Sequence, residues 1–154
     1  MANLEAGVKA PDFEMIGADG PVRLADYSGK PLVLYFYPKD DTSGCTKEAQ
    51  EFTAAAADFA KAGVALLGVS KDSAASHAKF IAKYELGFPL GSDPEGATVQ
   101  AYGAWVEKSM YGRKYMGIDR STFLIDKDGV IQRVWRKVKV PGHVTEVLKA
   151  AQAL

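Results

Sequence analysis

PLVLYFYPKDDTSGCTKEAQEF, residues 31–52, joins a stretch typical of a buried strand to one typical of a helix. The run from 31 to 38 is almost entirely β-branched, aliphatic and aromatic, as expected for a strand covered on both faces. Pro38 ends that strand, and a helix is predicted to begin near Ser43–Gly44. Its apolar face is predicted from three residues at helical spacing, Phe52, Ala56 and Phe59. Gly63 follows at the same spacing and is the predicted stop signal. A strand followed at once by a helix is the basic unit of an α/β protein.

The same alternation continues along the chain. VALLGVS, residues 64–70, predicts a second buried strand, and a helix capped by Asp72 and ended by Gly87 follows it. A short helix is predicted around 97–102. STFLIDKDGVIQRVW, residues 121–135, reads as strand, turn and strand. The last helix carries its apolar residues at helical spacing: Val144, Val147, Leu148, Ala151 and Leu154.

Two segments stand apart from this pattern. Residues 13–30 contain short apolar pieces around Gly17, Asp19, Gly20 and Pro21, which predicts an N-terminal hairpin. Residues 105–120 are the least regular part of the chain. The whole order predicts one domain over residues 1–154: an α/β fold with a mixed central sheet, helices on both faces and an N-terminal hairpin.

The composition of the chain argues against several classes of function. The chain has 154 residues, with 19 basic and 19 acidic side chains, so its formal net charge is zero. That balance argues against a general nucleic-acid binder or a binder of anionic membranes. The first 15 residues lack the pattern of a secretory leader, and one cysteine without an export signal indicates a reducing cytoplasm. His77 and His143 are expected at the surface and Asp40 and Asp41 in a solvated turn, so no metal site is predicted.

Cys45 is the only cysteine in the chain. It is predicted in the first turn of its helix, where unpaired N–H groups and a partial positive charge stabilise a thiolate. A lone cysteine is often only a small buried hydrophobe. Three features favour a nucleophile instead: Gly44 allows close backbone approach, a charged turn precedes the cysteine, and the end of a buried strand is where α/β proteins place their sites.

The spacing of Thr42 and Cys45 is that of the C-x-x-C redox motif with threonine in the first position. Threonine cannot form a disulfide, so the pattern indicates attack on a small electrophile rather than thiol–disulfide exchange. For the same reason a glutathione-linked thiol oxidoreductase, which needs its nucleophile in that first position, is the weaker alternative.

Four stretches of this chain resemble a peroxiredoxin of the bacterioferritin comigratory protein (Q-type) branch. They are APDFEM, FYPKDDTSGCTKEAQEF, GVSKDS and KSMYGRKYMGIDRSTFLIDKDG, and together they extend over nearly the whole chain. The motif P-x-x-x-T-x-x-C of that family is matched by Pro38, Thr42 and Cys45. The resemblance implies a thioredoxin-like fold, reduction of hydrogen peroxide and alkyl hydroperoxides, and no metal or organic cofactor.

The resemblance also implies a role for each of five residues. Cys45 would be the peroxidatic nucleophile, which becomes a sulfenic acid when the O–O bond breaks. Thr42 would hydrogen-bond the peroxide and Pro38 would shield the pocket. Arg120, in GIDRSTF, would hold both thiolate and peroxide, and Glu48 would support these hydrogen bonds.

Two departures from the family pattern matter. Many Q-type members carry a second, resolving cysteine five residues after the first, where this chain has Gln50, and the next helix has no cysteine either. We therefore expect a one-cysteine cycle in which an external thiol (thioredoxin, glutaredoxin or glutathione) reduces Cys45. Ser43 stands where proline is common, and it could cap the helix.

Some expectations stay open at this level. The alternative to an enzyme is a peroxide sensor or adaptor in which oxidised Cys45 forms a mixed disulfide with a client protein. The basic, aromatic residues of 105–120 could form a rim for alkyl hydroperoxides or for a reductant protein, or merely an ordered loop. The resemblance is compatible with a monomer or a weak homodimer.

Overall fold

The computed structural model describes residues 4–154. Within this range the chain forms nine strands, five α-helices and one turn of 3-10 helix (Leu24–Tyr27). The strands are β1 (Glu14–Gly17), β2 (Gly20–Arg23), β3 (Leu32–Phe36), β4 (Ala65–Ser70), β5 (Leu90–Ser92), β6 (Trp105–Met110), β7 (Arg113–Ile118), β8 (Ser121–Ile125) and β9 (Ile131–Trp135). The helices are α1 (Ser43–Ala54), α2 (Ala56–Lys61), α3 (Ala74–Tyr84), α4 (Ala97–Ala101) and α5 (His143–Gln152).

Seven of the strands form one mixed sheet in the order β2-β1-β5-β4-β3-β8-β9. The three central strands β5, β4 and β3 run parallel, whereas β8, β9, β1 and β2 join as antiparallel partners. The predicted mixed sheet and the predicted N-terminal hairpin are therefore confirmed. β5 was not predicted, because its three residues are too few to show a periodic pattern.

β3 divides the core into two layers, since its successive side chains point to opposite faces of the sheet. Val33 and Tyr35 enter a cluster with apolar side chains of α1, α2, α3 and α5. Leu32, Leu34 and Phe36 enter a second cluster on the other face, with α4 and the N-terminal segment. All five residues of the strand are fully buried, which explains the uninterrupted apolar run in the sequence.

The long helix predicted from residue 43 towards Gly63 is two helices. α1 ends at Ala54, Ala55 departs from helical geometry (φ −92°, ψ 0°), and α2 begins at Ala56. The next helix also differs from the prediction in its caps. Ser73 rather than Asp72 caps α3, because its hydroxyl accepts the N–H of Ser76, and left-handed Glu85 rather than Gly87 ends it.

Residues 105–118, within the segment predicted to be irregular, form an antiparallel hairpin of β6 and β7. Its two-residue turn, Tyr111–Gly112, has positive φ at both positions (52° and 78°), which is the geometry of a type I′ turn. Charged residues and Gly117 interrupt the alternation of apolar and polar side chains, so the sequence pattern of these strands is weak. The hairpin leads directly into Arg120.

Candidate active site

Cys45 lies in the first turn of α1, as the sequence predicts. Thr42 is the N-cap residue with extended backbone angles, and the Thr46 N–H closes the first helical hydrogen bond onto the Thr42 carbonyl at 2.8 Å. The N–H groups of the residues between them are the ones that a helix cannot pair internally, and they carry the positive end of its dipole. Cys45 is only 2% exposed, so its sulfur feels this field in a poorly solvated place.

Arg120 joins Cys45 to Glu48. Its Nη2 donates to Cys45 Sγ at 3.3 Å, and its Nη1 donates to Glu48 Oε1 at 2.6 Å. Cys45 and Glu48 stand three positions apart on α1, so they share one face of the helix and meet the two arms of the guanidinium together. The structure thus brings three of the five predicted site residues into a single hydrogen-bonded group.

The sheet register explains how Arg120 reaches a helix 75 positions away. β8 pairs antiparallel with β3, and Ser121 lies opposite Phe36. The residue before β8 therefore stands beside the end of β3, where the chain turns towards Cys45. The Val138 N–H donates to the Arg120 carbonyl at 2.9 Å and fixes the backbone there.

Glu48 is an acidic group in an apolar place. Its side chain is completely buried, and burial raises the pKa of its carboxyl to about 7, against the opposing effect of Arg120. Among residues 4–154, its second oxygen, Oε2, finds no hydrogen-bond partner. Burial lowers the pKa of the Arg120 guanidinium. Glu48 and Cys45 have the opposite and larger effect, so the net pKa of Arg120 is raised. The arginine is a permanent cation beside the sulfur.

Gly44 lies close to the Arg120 guanidinium. A Cβ at this position would lie 3.4 Å from Arg120 Nη2, in van der Waals contact with the arm that donates to Cys45 Sγ. The backbone next to Cys45 therefore approaches Arg120 closely, as the glycine allows.

Thr42 and Pro38 are both exposed, and Thr42 lies at the N-cap of the helix that carries Cys45. The Thr42 hydroxyl donates to the Lys39 carbonyl at 2.9 Å, so its proton is occupied and its lone pairs remain available to accept a hydrogen bond. Thr42 rather than Ser43 is the N-cap residue, and no side-chain hydrogen bond closes the cap. The suggested capping role of Ser43 is therefore wrong.

The prediction of a solvated turn is wrong for Asp40. Its carboxylate is buried and accepts hydrogen bonds from Tyr37 Oη at 2.5 Å and Ser76 Oγ at 2.7 Å, and Oδ2 lies 2.8 Å from His77 Nδ1. Burial raises the pKa of Asp40, but these hydrogen bonds outweigh it, and the net pKa is lowered. Asp41 is exposed as expected and binds Lys83 and Tyr84 of α3.

The prediction of surface histidines is also wrong. His77 is fully buried, and His143 is 5% exposed with Nε2 at 2.8 Å from Thr122 Oγ1. His77 precedes Phe80 by three positions, Ile81 by four and Tyr84 by seven, so it lies on the apolar face of α3. That spacing was the signal of burial in the sequence.

Across residues 4–154 the structure has no group of three or more His, Cys, Asp or Glu side chains that could hold a metal ion. In the same part of the chain no helix combines the length and the apolar character needed to span a membrane.

A mixed sheet with one buried cysteine at a helix N-terminus, paired with an arginine, defines the class of thiol-based redox proteins. Residues 6–134 match the family model described as AhpC/TSA family. The chain belongs to the AhpC/TSA family.

Its relatives are peroxiredoxins. A Coxiella burnetii protein that carries the name peroxiredoxin bcp is 51% identical over 147 residues, covering 95% of this chain and 97% of that protein. Peroxiredoxin Bcp of Bacillus subtilis is 50% identical over 147 residues, covering 95% and 94%. A Xanthomonas campestris peroxiredoxin Q mutant superposes with a TM-score of 0.91 at 44% identity, covering 97% of this chain and 99% of that one.

These relatives confirm the predicted thioredoxin-like peroxiredoxin fold and the predicted class of activity, thiol-dependent peroxide reduction. They do not favour the sensor or adaptor alternative. Two solved forms of the Xanthomonas campestris protein replace two different cysteines with serine, so that protein has at least two. This chain has only Cys45.

Proposed function

We propose that this peroxiredoxin reduces hydrogen peroxide and alkyl hydroperoxides by a one-cysteine cycle at Cys45. The observation that carries the proposal is the 3.3 Å contact between Arg120 Nη2 and Cys45 Sγ, made in a site that is almost closed to solvent. A fixed cation beside the sulfur favours the thiolate, which is the nucleophilic form. The same cation faces the negative charge that develops on the peroxide as its O–O bond breaks.

In the first step the Cys45 thiolate attacks one peroxide oxygen. The S–O bond forms as the O–O bond breaks, and the departing oxygen takes up a proton as water or an alcohol. Sulfur is oxidised by two electrons to the sulfenic acid, and the peroxide is reduced by the same two electrons.

The neighbours of Cys45 have separate roles in this step. Thr42 accepts the hydrogen bond of the peroxide hydroxyl, because its own proton is held by the Lys39 carbonyl. Glu48 holds Arg120 in the orientation that contacts the sulfur. Pro38 covers the edge of the pocket from its exposed position after β3.

In the second step an external thiolate attacks the Cys45 sulfur, and water leaves once the displaced hydroxide is protonated. A second external thiol then releases Cys45 and carries away the disulfide. A disulfide within the chain is impossible with one cysteine. We propose thioredoxin, glutaredoxin or glutathione as the thiol source, in the cytoplasm, with the enzyme a monomer or a weak homodimer.

The test is the second-order rate constant for oxidation of Cys45 by hydrogen peroxide, read as trapped sulfenic acid by mass spectrometry. We expect a rate constant at least about 10²-fold above that of a free thiolate, as one preorganised donor can supply. With excess dithiothreitol the protein should then consume many equivalents of peroxide. Cys45→Ser should abolish both signals. A rate equal to that of free cysteine would refute the proposal, and consumption that stops at one equivalent would refute the catalytic cycle.

A further inference from the structure

A buried contact between His77 and Asp40 ties α3 to the turn that leads into Cys45. The side chains of His77 and Asp40 are 0% and 4% exposed, and His77 Nδ1 lies 2.8 Å from Asp40 Oδ2. The other ring nitrogen, Nε2, lies 3.1 Å from the Gly91 carbonyl oxygen of β5. The peroxide chemistry proposed above uses neither residue.

The two ring nitrogens of His77 have different partners. A carbonyl oxygen only accepts, so Nε2 donates to Gly91. Nδ1 lies 2.8 Å from Asp40 Oδ2 and 3.4 Å from Tyr37 Oη. The Asp40 carboxylate also accepts the hydroxyls of Tyr37 and Ser76, so these three side chains together fix its orientation.

The pair fixes the backbone from which Thr42 projects. The Asp40 N–H donates to Asp72 Oδ2 at 2.9 Å, so Asp40 is held at both its main chain and its side chain. The carbonyl of the preceding residue, Lys39, accepts the Thr42 hydroxyl. A shift of Asp40 would therefore turn the Lys39 carbonyl and, with it, the lone pairs that Thr42 offers to a peroxide.

We propose that His77 is a positioning residue for peroxide reduction, acting through Asp40 on the orientation of Thr42. The inference rests on the proposed function, since it assigns Thr42 a contact with the peroxide. Cys45 has separate contacts, with the helix N-terminus and with Arg120. Loss of His77 should accordingly slow attack on peroxides, which need Thr42, without slowing reactions that need only the thiolate.

Two rate constants for Cys45 separate these effects, one with hydrogen peroxide and one with iodoacetamide, an alkylating agent that needs no proton acceptor. His77→Gln keeps a polar side chain but loses the ring that contacts both Asp40 and the Gly91 carbonyl. We expect its peroxide rate constant to fall at least about tenfold, because small displacements of a positioned group have large kinetic effects. Its alkylation rate constant should not fall.

The matched control is Val147→Ala on α5, which opens a cavity in the apolar cluster that also contains Phe80 of α3. It should lower the midpoint of thermal unfolding and leave both rate constants within twofold of the parent. If the parent itself reacts no faster than a free thiolate, the proposed function fails. If the parent is fast and His77→Gln is equally fast, or is slowed equally in both reactions, the positioning role is wrong.

A fully buried polar side chain can be hard to replace, so two milder variants decide the question if His77→Gln does not fold. Ser76→Ala and Tyr37→Phe each remove one hydroxyl donor to Asp40 and keep the contact between His77 and Asp40. Each should slow the peroxide reaction about threefold to tenfold and spare alkylation. Unchanged peroxide rate constants in both variants would overturn the proposal.

Discussion

The guanidinium of Arg120 contacts Cys45 Sγ at 3.3 Å, across 75 positions of sequence. The contact depends on the antiparallel pairing of β8 with β3, which sets Ser121 opposite Phe36 and so brings the preceding arginine to the N-terminus of α1. Glu48 Oε1 accepts the other arm of the same guanidinium at 2.6 Å. A planar group with two separate donors is therefore held by two partners, and a point charge could not replace it.

Substitution of Arg120 tests this geometry. Arg120→Ala removes both hydrogen bonds, and Arg120→Lys keeps a charge that can reach only one partner at a time. We expect the rate constant for Cys45 oxidation by hydrogen peroxide to fall about 10²- to 10³-fold in the alanine variant and nearly as far in the lysine variant. Alkylation by iodoacetamide should also slow, because the sulfur loses the cation that contacts it. A lysine variant that oxidises as fast as the parent would show that charge alone suffices.

Substitution of Thr42 separates its hydroxyl from its place at the start of α1. Thr42→Val loses the acceptor for the peroxide hydroxyl and should slow oxidation about 10²-fold, whereas Thr42→Ser should stay within a few-fold of the parent. Because Thr42 is exposed and its side chain closes no cap, both variants should unfold within a few degrees of the parent temperature. Equal oxidation rates for the valine and serine variants would remove the hydroxyl from the mechanism.

The sequence predicted the elements with the strongest local patterns. β3 and β4 show as uninterrupted apolar runs because both faces are covered, and α5 shows as a stripe at helical spacing. The β6–β7 hairpin was not predicted, because apolar side chains such as Met110 and Met116 are exposed on it. They hide the alternation of apolar and polar residues that is typical of a strand. The break at Ala55 was missed because alanine favours a helix and gives no stop signal.

The local sequence patterns do not predict the contacts between residues that are far apart in the sequence. The nearness of Arg120 to Cys45 is a product of sheet register, which no single stretch of sequence specifies. The contact of Asp40 with His77 likewise joins two side chains 37 positions apart. The pattern around Asp40, a run of charged residues after a proline, is that of a solvated turn, and only the fold places Asp40 against α3. The family resemblance predicted the role of Arg120, but it predicted no role for His77.

His143 should make the protein sensitive to acid. Burial lowers the pKa of its imidazole from 6.5 to about 4, and its place at the N-terminal end of α5 disfavours a cation further. A depressed pKa stabilises the fold fully above pH 6.5, and that contribution is lost as the pH falls towards 4. His143→Gln keeps a polar partner for Thr122 but does not titrate. Its free energy of unfolding should decline less than that of the parent between pH 6.5 and 4, in urea titrations, and parallel declines would contradict the assignment.

Glu48 should give the opposite dependence of the free energy of unfolding on pH. Burial raises the pKa of its carboxyl from 4.5 to about 7, so the folded protein keeps a proton that the unfolded chain loses over this interval. The contribution to stability is therefore complete below pH 4.5 and declines as the pH rises to 7. Glu48→Gln resembles the protonated acid at every pH. Urea titrations should show it gaining about 2 to 3 kcal/mol on the parent between pH 4.5 and 7.

The control for this titration is Glu107→Gln, on the exposed face of β6, which should follow the parent throughout. Glu48→Gln should also slow Cys45 oxidation. Arg120 loses its carboxylate partner, and with it the side-chain orientation in which the guanidinium contacts the sulfur. A more stable but slower enzyme at pH 7 is the combined outcome expected of a carboxylate retained for geometry at a cost in stability. If the Glu48→Gln and parent profiles stay parallel from pH 4.5 to 7, Glu48 is ionised across the whole interval, and the buried carboxylate imposes no such cost.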